Sequence, residues 1–444
     1  MYKTFHKGGV HPAENKLTAE SGIIDLPVPA LVTIPVTQHI GAPARVVVKK
    51  GDNVKTGQII GQGEGFVSSN IHSSVTGTVS KIEKFIDSSG YNRLAVEIET
   101  SDDEWVENID LCKELIREIT LPRPELLKKI QEAGIAGMGG ATFPTHVKMF
   151  LPQGKTVDHL LVNGAECEPY LTSDHVLMLE KGEEILTGIT IAMQVLGVTN
   201  AVIGIEKNKI NAIGYLESHA AKYNGISIQG LKVKYPQGSE KQLVKSILKR
   251  EVPSGGLPSD VGAVVFNVGT MFAIYEAVQK NKPLIDRIVT VTGRSLRSPS
   301  NFRVRIGTHM ADLIKAAGGL PENTGKVIGG GPMMGKALNS LDVPVTKGTS
   351  GLLILEEKES RRKPIMNCIR CSKCVSVCPM GLEPYLLMIL AERRFCELIE
   401  DCHIGDCMEC GSCSYICPAN RPLLDYIRLG KARLRELKRK KKEN

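Results

Sequence analysis

Cys368-Ile-Arg-Cys371-Ser-Lys-Cys374-Val-Ser-Val-Cys378-Pro379 returns 39 residues later as Cys407-Met-Glu-Cys410-Gly-Ser-Cys413-Ser-Tyr-Ile-Cys417-Pro418. Each copy reads C-x2-C-x2-C-x3-C-P. Three thiolates spaced by two residues can wrap one face of an iron–sulfur cubane. The fourth stands where the chain departs and reaches the neighbouring cluster. The spacing therefore assigns Cys368, Cys371, Cys374 and Cys417 to one [4Fe–4S] cluster, and Cys407, Cys410, Cys413 and Cys378 to a second. The prolines close each loop and withhold an amide donor. Paired zinc knuckles are the competing reading, but zinc closes a site with four ligands, commonly as two C-x2-C pairs. Two complete C-x2-C-x2-C-x3-C-P runs fit two cubanes better. Cys396 and Cys402 lie between the copies and read as buried structural thiols.

Outward from the repeat, the chain is 444 residues long, 42% hydrophobic and 23% charged. That composition is globular, with room for about three domains. It excludes a disordered chain and a disulfide-built miniprotein. Ten of the twelve cysteines fall in the repeat region, which points to metal ligation in a reducing compartment. Aromatic residues make up only 5%, so no stacked nucleic-acid surface and no nucleic-acid partner are expected. The stretch Val261–Tyr275, which has no acidic or basic side chains, is too short to span a membrane, and the start has no apolar signal core. A soluble cytoplasmic protein without its own transmembrane segment is expected. The formal charge is +8, and the tail Lys431–Asn444 supplies +6 of it from eight basic and two acidic residues. The tail reads as a solvated helix or as a contact for anionic lipid or an acidic partner.

Residues 30–100 carry short β-branched runs separated by glycine turns, as at Lys50-Gly51-Asp52-Asn53 and Thr76-Gly77. The string resembles a lipoyl- or biotinyl-type barrel-sandwich hybrid. Its hairpin tip, Glu64–Asn70, lacks the lysine that would carry a prosthetic group, so it reads as a structural copy of that fold. Residues 120–285 alternate strands (His159–Asn163, Ala201–Ile205, Ile226–Val233, Ala263–Asn267) with helices (Ser173–Leu196, Asn208–Tyr223, Glu240–Glu251). That alternation predicts an α/β layer domain. Residues 286–350 resemble a β-grasp module of the soluble ligand-binding type (SLBB). Glu356–Lys363 reads as a charged linker.

Within the α/β region, Gly134–Lys148 is a glycine-rich loop after a helical run. Its amides can nest a phosphate, with Lys148 adding charge. Leu161–Tyr170 leaves a strand where open α/β sheets bind ligands. Together the loop G-x-G-G-A-x-F-P-x-x-x-K and the later N-G-x-E-x-E-P resemble the flavin-bearing, NADH-oxidising subunit of respiratory complex I. That resemblance implies non-covalent FMN and NAD(H) as substrate. Gly137, Gly139, Gly140 and Lys148 would hold the phosphate and ribityl. Asn163 and Glu166 would contact the flavin, Phe143 would stack near the nucleotide, and Glu168 would lie at the hydride-transfer face. By the same resemblance Glu240 would bind nucleotide, and Asn267 and Thr270 would face the flavin. Ala165, Ser239 and Phe266 depart from the family's aspartate, glutamate and asparagine.

The opening Phe5-His-Lys-Gly8-Gly9-Val10-His11-Pro12, the stretch Pro35–Gly41 and the ending Glu409–Leu423 resemble the RnfC family along the whole chain, the C component of the Rnf ion-translocating ferredoxin:NAD+ oxidoreductase complex. The resemblance implies a multidomain α/β protein: a hybrid over 1–120, an FMN/NAD(H)-binding α/β domain over 121–285, an SLBB-like β-grasp over 286–355, a helical double [4Fe–4S] ferredoxin-like domain over 356–430 and a basic tail over 431–444. It implies an enzyme component that exchanges hydride between NAD(H) and FMN and relays single electrons through the clusters, without a side-chain acid or base. The complex would transport Na+ or H+. Implied partners are the membrane and ferredoxin-like components of the Rnf complex (A, B, D, E and G), met on the cytoplasmic side of the bacterial inner membrane by a peripheral chain. A soluble corrinoid reductase and a non-catalytic electron wire are the alternative readings.

Overall fold

Four adjacent parallel strands decide where a ligand can enter. The computed structural model describes residues 1–88, 90–151 and 154–443. Its parallel sheet runs in the order Ile226–Leu231, Asn200–Glu206, His159–Gly164, Ala263–Asn267. These strands read as continuous apolar runs because both faces are covered. Leu160 and Val162 enter the large core beneath helices Gly182–Leu196 and Val268–Gln279, while Leu161 enters a smaller core with Leu243 and Ile247 of helix Glu240–Leu248. From His159–Gly164 the chain winds one way through Asn200–Glu206 and Ile226–Leu231, and Ala263–Asn267 adds on the other side, so a crevice opens at the carboxyl ends of His159–Gly164 and Ala263–Asn267. Asn163 and Asn267 are register partners at that point.

The expected helix over Ser173–Leu196 is divided into Ser173–Glu180 and Gly182–Leu196. At the joint, a Cβ on Gly182 would come within 2.5 Å of the Tyr215 ring, so only glycine lets the two helices and helix Ile210–Ala220 close together. The other strands of the region fall within two residues of their expected ends.

The hybrid unit is a four-stranded sheet (Leu31–Pro35, Asn92–Thr100, Gly77–Ile86, Asn53–Val54) facing a three-stranded one (Arg45–Val46, Ile59–Gln62, Ile71–His72). Its barrel strands begin at Leu31, and the residues before it are spent on other units. Lys3 bridges to Leu231 and Val10 to Tyr235. Ile23–Asp25 adds a parallel edge strand to the six-stranded β-grasp sheet, beside Ser300–Arg305. Gly8 and Gly9 let this strap pass under the cluster domain. A Cβ on Gly8 would sit 2.5 Å from the Cys378 carbonyl carbon, and its φ of +67° is one L side chains rarely adopt.

The cluster domain packs helices Pro384–Glu392 and Leu423–Glu443 around Leu387, Ile399 and Ile427. The basic tail is therefore the continuation of a packed helix, and its last residue, Asn444, lies outside the described residues. Among the described residues no helix is long and apolar enough to cross a membrane.

Candidate flavin and electron-transfer site

All eleven residues expected to bind flavin or nucleotide line one cavity of about 1550 Å³. It opens at the crevice beyond Asn163 and Asn267. Asn163 donates from Nδ2 to the Gly238 carbonyl (2.7 Å), and its Oδ1 accepts from the Ala165 amide. Asn267 caps helix Val268–Gln279 by accepting from the Gly269 amide (2.8 Å), and its Nδ2 donates to Asp174 (2.6 Å). Burial, with the Glu166 charge adding to it, pushes the Asp174 carboxyl up to about 7. Thr270 Oγ1 accepts from the Met138 amide (3.1 Å) and so pins the glycine loop to that helix.

The loop itself has the shape of a cradle. A Cβ on Gly139 would come within 2.9 Å of Asn267, whereas one on Gly140 would meet no protein atom within 4 Å and would occupy the cavity. Gly137 donates its amide to the Phe143 carbonyl, so Phe143 shapes the loop through its backbone as well as lining the cavity. Lys148 forms an ion pair with Glu240 across the cavity wall and stands 5.2 Å from the centroid of the Phe266 ring. Phe266 thus meets the Lys148 cation where the complex I protein has asparagine.

Glu166 and Glu168 are engaged by backbone amides. Glu166 accepts from the Asp174 amide (2.8 Å) and the His175 amide (3.3 Å), capping helix Ser173–Glu180. Its φ of +40° is unusual for a non-glycine residue and holds it in that role. Glu168 accepts from the Met334 amide (2.6 Å) and the Met333 amide (3.3 Å) of the β-grasp loop. Burial pushes its carboxyl up to about 7, and the two amides oppose that shift. Glu168 thereby ties the β-grasp unit to the flavin crevice.

Sequence reasoning missed the roof of the cavity. Phe66 of the hybrid tip meets Phe150 edge-on, ring centroids 5.3 Å apart, and both line the cavity with His39. The signal was the tip without its lysine, since a tip that carries nothing is free to cover a neighbour.

The cysteines separate into an inner and an outer set. Cys378, Cys407, Cys410 and Cys413 line one small cavity. Cys378 of the first copy thus stands with three cysteines of the second. Burial pushes the Cys407 thiol up to about 11, with the Cys410 and Cys378 charges adding to it. Burial also raises Cys374, and there the neighbouring charge is that of Cys417, from the other copy. Among the described residues no three donors converge on one ion-sized point. Sulfurs set around a void suit a multi-iron cubane, so the donor chemistry and its arrangement fit. Cys378, Cys410 and Cys413 are buried, while Cys368 and Cys371 are exposed. Cys407 and Cys410 also line the large cavity, so the inner set adjoins the flavin crevice. Between them, the Tyr235 hydroxyl donates to the Cys410 carbonyl (2.8 Å), and the Gly238 amide donates to the Cys167 sulfur (3.2 Å). Cys167 and Tyr235 pack in one apolar cluster with Cys410 and Met333. Cys396 and Cys402 join neither set and are half-buried, less enclosed than their place between the copies suggests.

The chain is similar to known proteins along its length. Residues 3–103 match a family model described as an RnfC barrel sandwich hybrid domain, 130–276 a Nuo51 FMN-binding domain and 288–337 an SLBB domain. It is 46% identical to the C component of the proton-translocating ferredoxin:NAD+ oxidoreductase complex of Clostridium ljungdahlii, over 96% of this chain and 93% of that one. It is 43% identical to the C component of the Na+-translocating ferredoxin:NAD+ oxidoreductase complex of Acetobacterium woodii, over 98% of each. In fold it is similar to an NAD+-reducing [NiFe]-hydrogenase in the H2-reduced state, with a TM-score of 0.50 and 18% identity over 70% of this chain and 62% of that one.

Proposed function

Because the chain belongs to the RnfC family of ion-translocating ferredoxin:NAD+ oxidoreductase components, we propose that it is the NAD(H)-facing electron-transfer member of such a complex. FMN, when bound, takes up or releases hydride and exchanges electrons singly, and the two [4Fe–4S] clusters carry one electron each. What this chain supplies is position. Gly137, Gly139 and Gly140 line the cavity as the loop that would hold the phosphate and ribityl, and Lys148 supplies the facing cation. Asn163, Asn267 and Thr270 fix the floor of the crevice. Phe143 and Glu240 line the space left for the nicotinamide nucleotide. Glu166 and Glu168 act by holding helix Ser173–Glu180 and the β-grasp loop in place. Cys378, Cys407, Cys410 and Cys413 hold the inner cluster, and Cys368, Cys371, Cys374 and Cys417 the outer one.

One observation carries this reading. A single cavity is lined both by the glycine cradle and by two cysteines of the inner set. No separate carrier is needed to bring two-electron and one-electron chemistry together.

The chain associates peripherally with a membrane complex. Its partners there are the membrane and ferredoxin-like components (A, B, D, E and G), reached from the cytoplasmic side.

Anaerobic purification tests the reading. One FMN and about eight irons with matching sulfide per chain are expected, and NADH should bleach the flavin absorbance. A preparation with iron but no FMN, unresponsive to NADH, overturns it.

A further inference from the structure

The outer cysteine set stands in an unusual span. From Arg361 to Lys373 every residue is exposed. The span carries five basic residues and no acidic one. Arg361 is paired with Glu357, and Arg362 with Asp425 at 2.5 Å. Lys363, Arg370 and Lys373 form no ion pair among the described residues. Between them Ile365, Met366 and Ile369 are 59%, 54% and 68% exposed. Such side chains clustered at one place mark a binding surface. The span is nonetheless held in place: the Met366 amide donates to the Ala419 carbonyl (3.0 Å), and Asn420 Nδ2 to the Pro364 carbonyl (3.1 Å), fixing it beside Cys417. The apolar centre, the basic rim and the exposed Cys368 and Cys371 thus coincide. The inner set offers nothing comparable, because three of its four cysteines are buried.

Resting on the proposed relay, we infer that Arg361–Lys373 is the docking face for a one-electron carrier domain whose own cofactor is rimmed by carboxylates. Charge complementarity selects the partner and speeds its encounter, while Ile365, Met366 and Ile369 exclude water at the contact. The step is the passage of one electron between the carrier's cofactor and the outer cluster. One is oxidised as the other is reduced, and no bond or proton moves. A lipid surface is the competing occupant. The basic helix Leu423–Glu443 is the separate element suited to that, since Lys438, Arg439, Lys440 and Lys441 follow one another near its end.

The test uses the full-length anaerobic holoprotein and a reduced acidic two-cubane bacterial ferredoxin as probe, mixed by stopped flow. The second-order rate at which the ferredoxin reduces the protein is expected to fall at least about tenfold between low and physiological-to-high salt. The double variant Lys363→Glu/Lys373→Glu is expected to lose at least about tenfold in that rate at low salt, with its iron content and NADH-driven flavin bleaching unchanged. Ile365→Ser, which adds no charge, should slow the step without altering its salt dependence. A wild-type rate indifferent to salt, together with a double variant as fast as wild type, overturns the inference. So does a double variant that keeps the ferredoxin rate but no longer sediments with vesicles of neutral and anionic phospholipid. Failure of NADH to bleach the wild-type flavin would count against the functional reading alone. The salt and variant dependence of the ferredoxin-driven step decides the docking face separately.

Discussion

Gly139 and Gly140 sit side by side in the same loop and are required for different reasons. A methyl at Gly139 collides with Asn267, a protein contact, whereas a methyl at Gly140 meets only the space of the cavity. Gly140→Ala should therefore unfold at the wild-type temperature but retain less FMN after gel filtration, while Gly139→Ala should lose stability as well. Glu166 makes the opposite case. The family pattern gives it to the flavin, yet both its oxygens accept helix amides. Glu166→Ala should cost about 1–2 kcal/mol, read as a lowered midpoint in denaturant, and Glu166→Gln should recover part of that cost with FMN content unchanged. The grouping of Cys378 with Cys407, Cys410 and Cys413 around one small cavity was legible at this scale, because the spacing sends the fourth cysteine of a copy to its neighbour. The partners of Glu166 and Glu168 were not. A motif shows that a carboxylate is wanted at a place, and only packing shows whether a ligand or a backbone amide takes it.

Among elements, loops from different units meet at the inner cluster. The Tyr235 loop reaches Cys410, the β-grasp loop reaches Glu168, and the first turn of the basic tail reaches back, Lys431 donating to the Cys407 carbonyl (2.8 Å) and to Glu409 (2.7 Å). Tyr235→Phe removes a donor from a carbonyl of the cluster loop, at a cost of about 1–3 kcal/mol in stability. The freed carbonyl leaves more negative potential beside the cluster. Its reduction potential should fall, as followed by EPR-monitored redox titration, while NADH still bleaches the flavin. The tail can be tested without disturbing its brace. Truncation after Leu437 keeps Lys431 and removes Lys438–Asn444. If the tail holds lipid, the truncated protein should lose membrane association in fractionation and keep its iron. Strands and helices were legible to within a few residues from hydrophobic period. The joint at Gly182 was not, because the contact that requires glycine there is with the Tyr215 ring on another helix.

Across the whole molecule, Lys347 joins three units. It is fully buried, and its Nζ donates to the carbonyls of Asn70 in the hybrid and Gly134 in the flavin unit, both at 2.7 Å. Burial pushes its amine down from 10.5 to about 7. The unfolded chain then binds the extra proton between those values, so stability rises with pH across that window. Relative to Lys347→Met, the wild type should gain about 1.4 kcal/mol per pH unit from pH 7 to 9, measured by urea unfolding. No pattern in the sequence announces this residue, since a lysine in a loop ordinarily stays in water. The sequence by itself determined what repeats locally. Cysteine spacing marked which thiols group together, alternating apolar runs marked the sheet, and the glycine-rich stretch marked the loop at the crevice, because each depends on residues a few positions apart. Only the tertiary structure decided which cluster adjoins the flavin crevice and which faces out, that the lysine-free hybrid tip roofs the cavity, and that the first thirty residues lace the units together. Those outcomes depend on side chains hundreds of residues apart competing for the same buried space, and no short stretch of chain contains that competition.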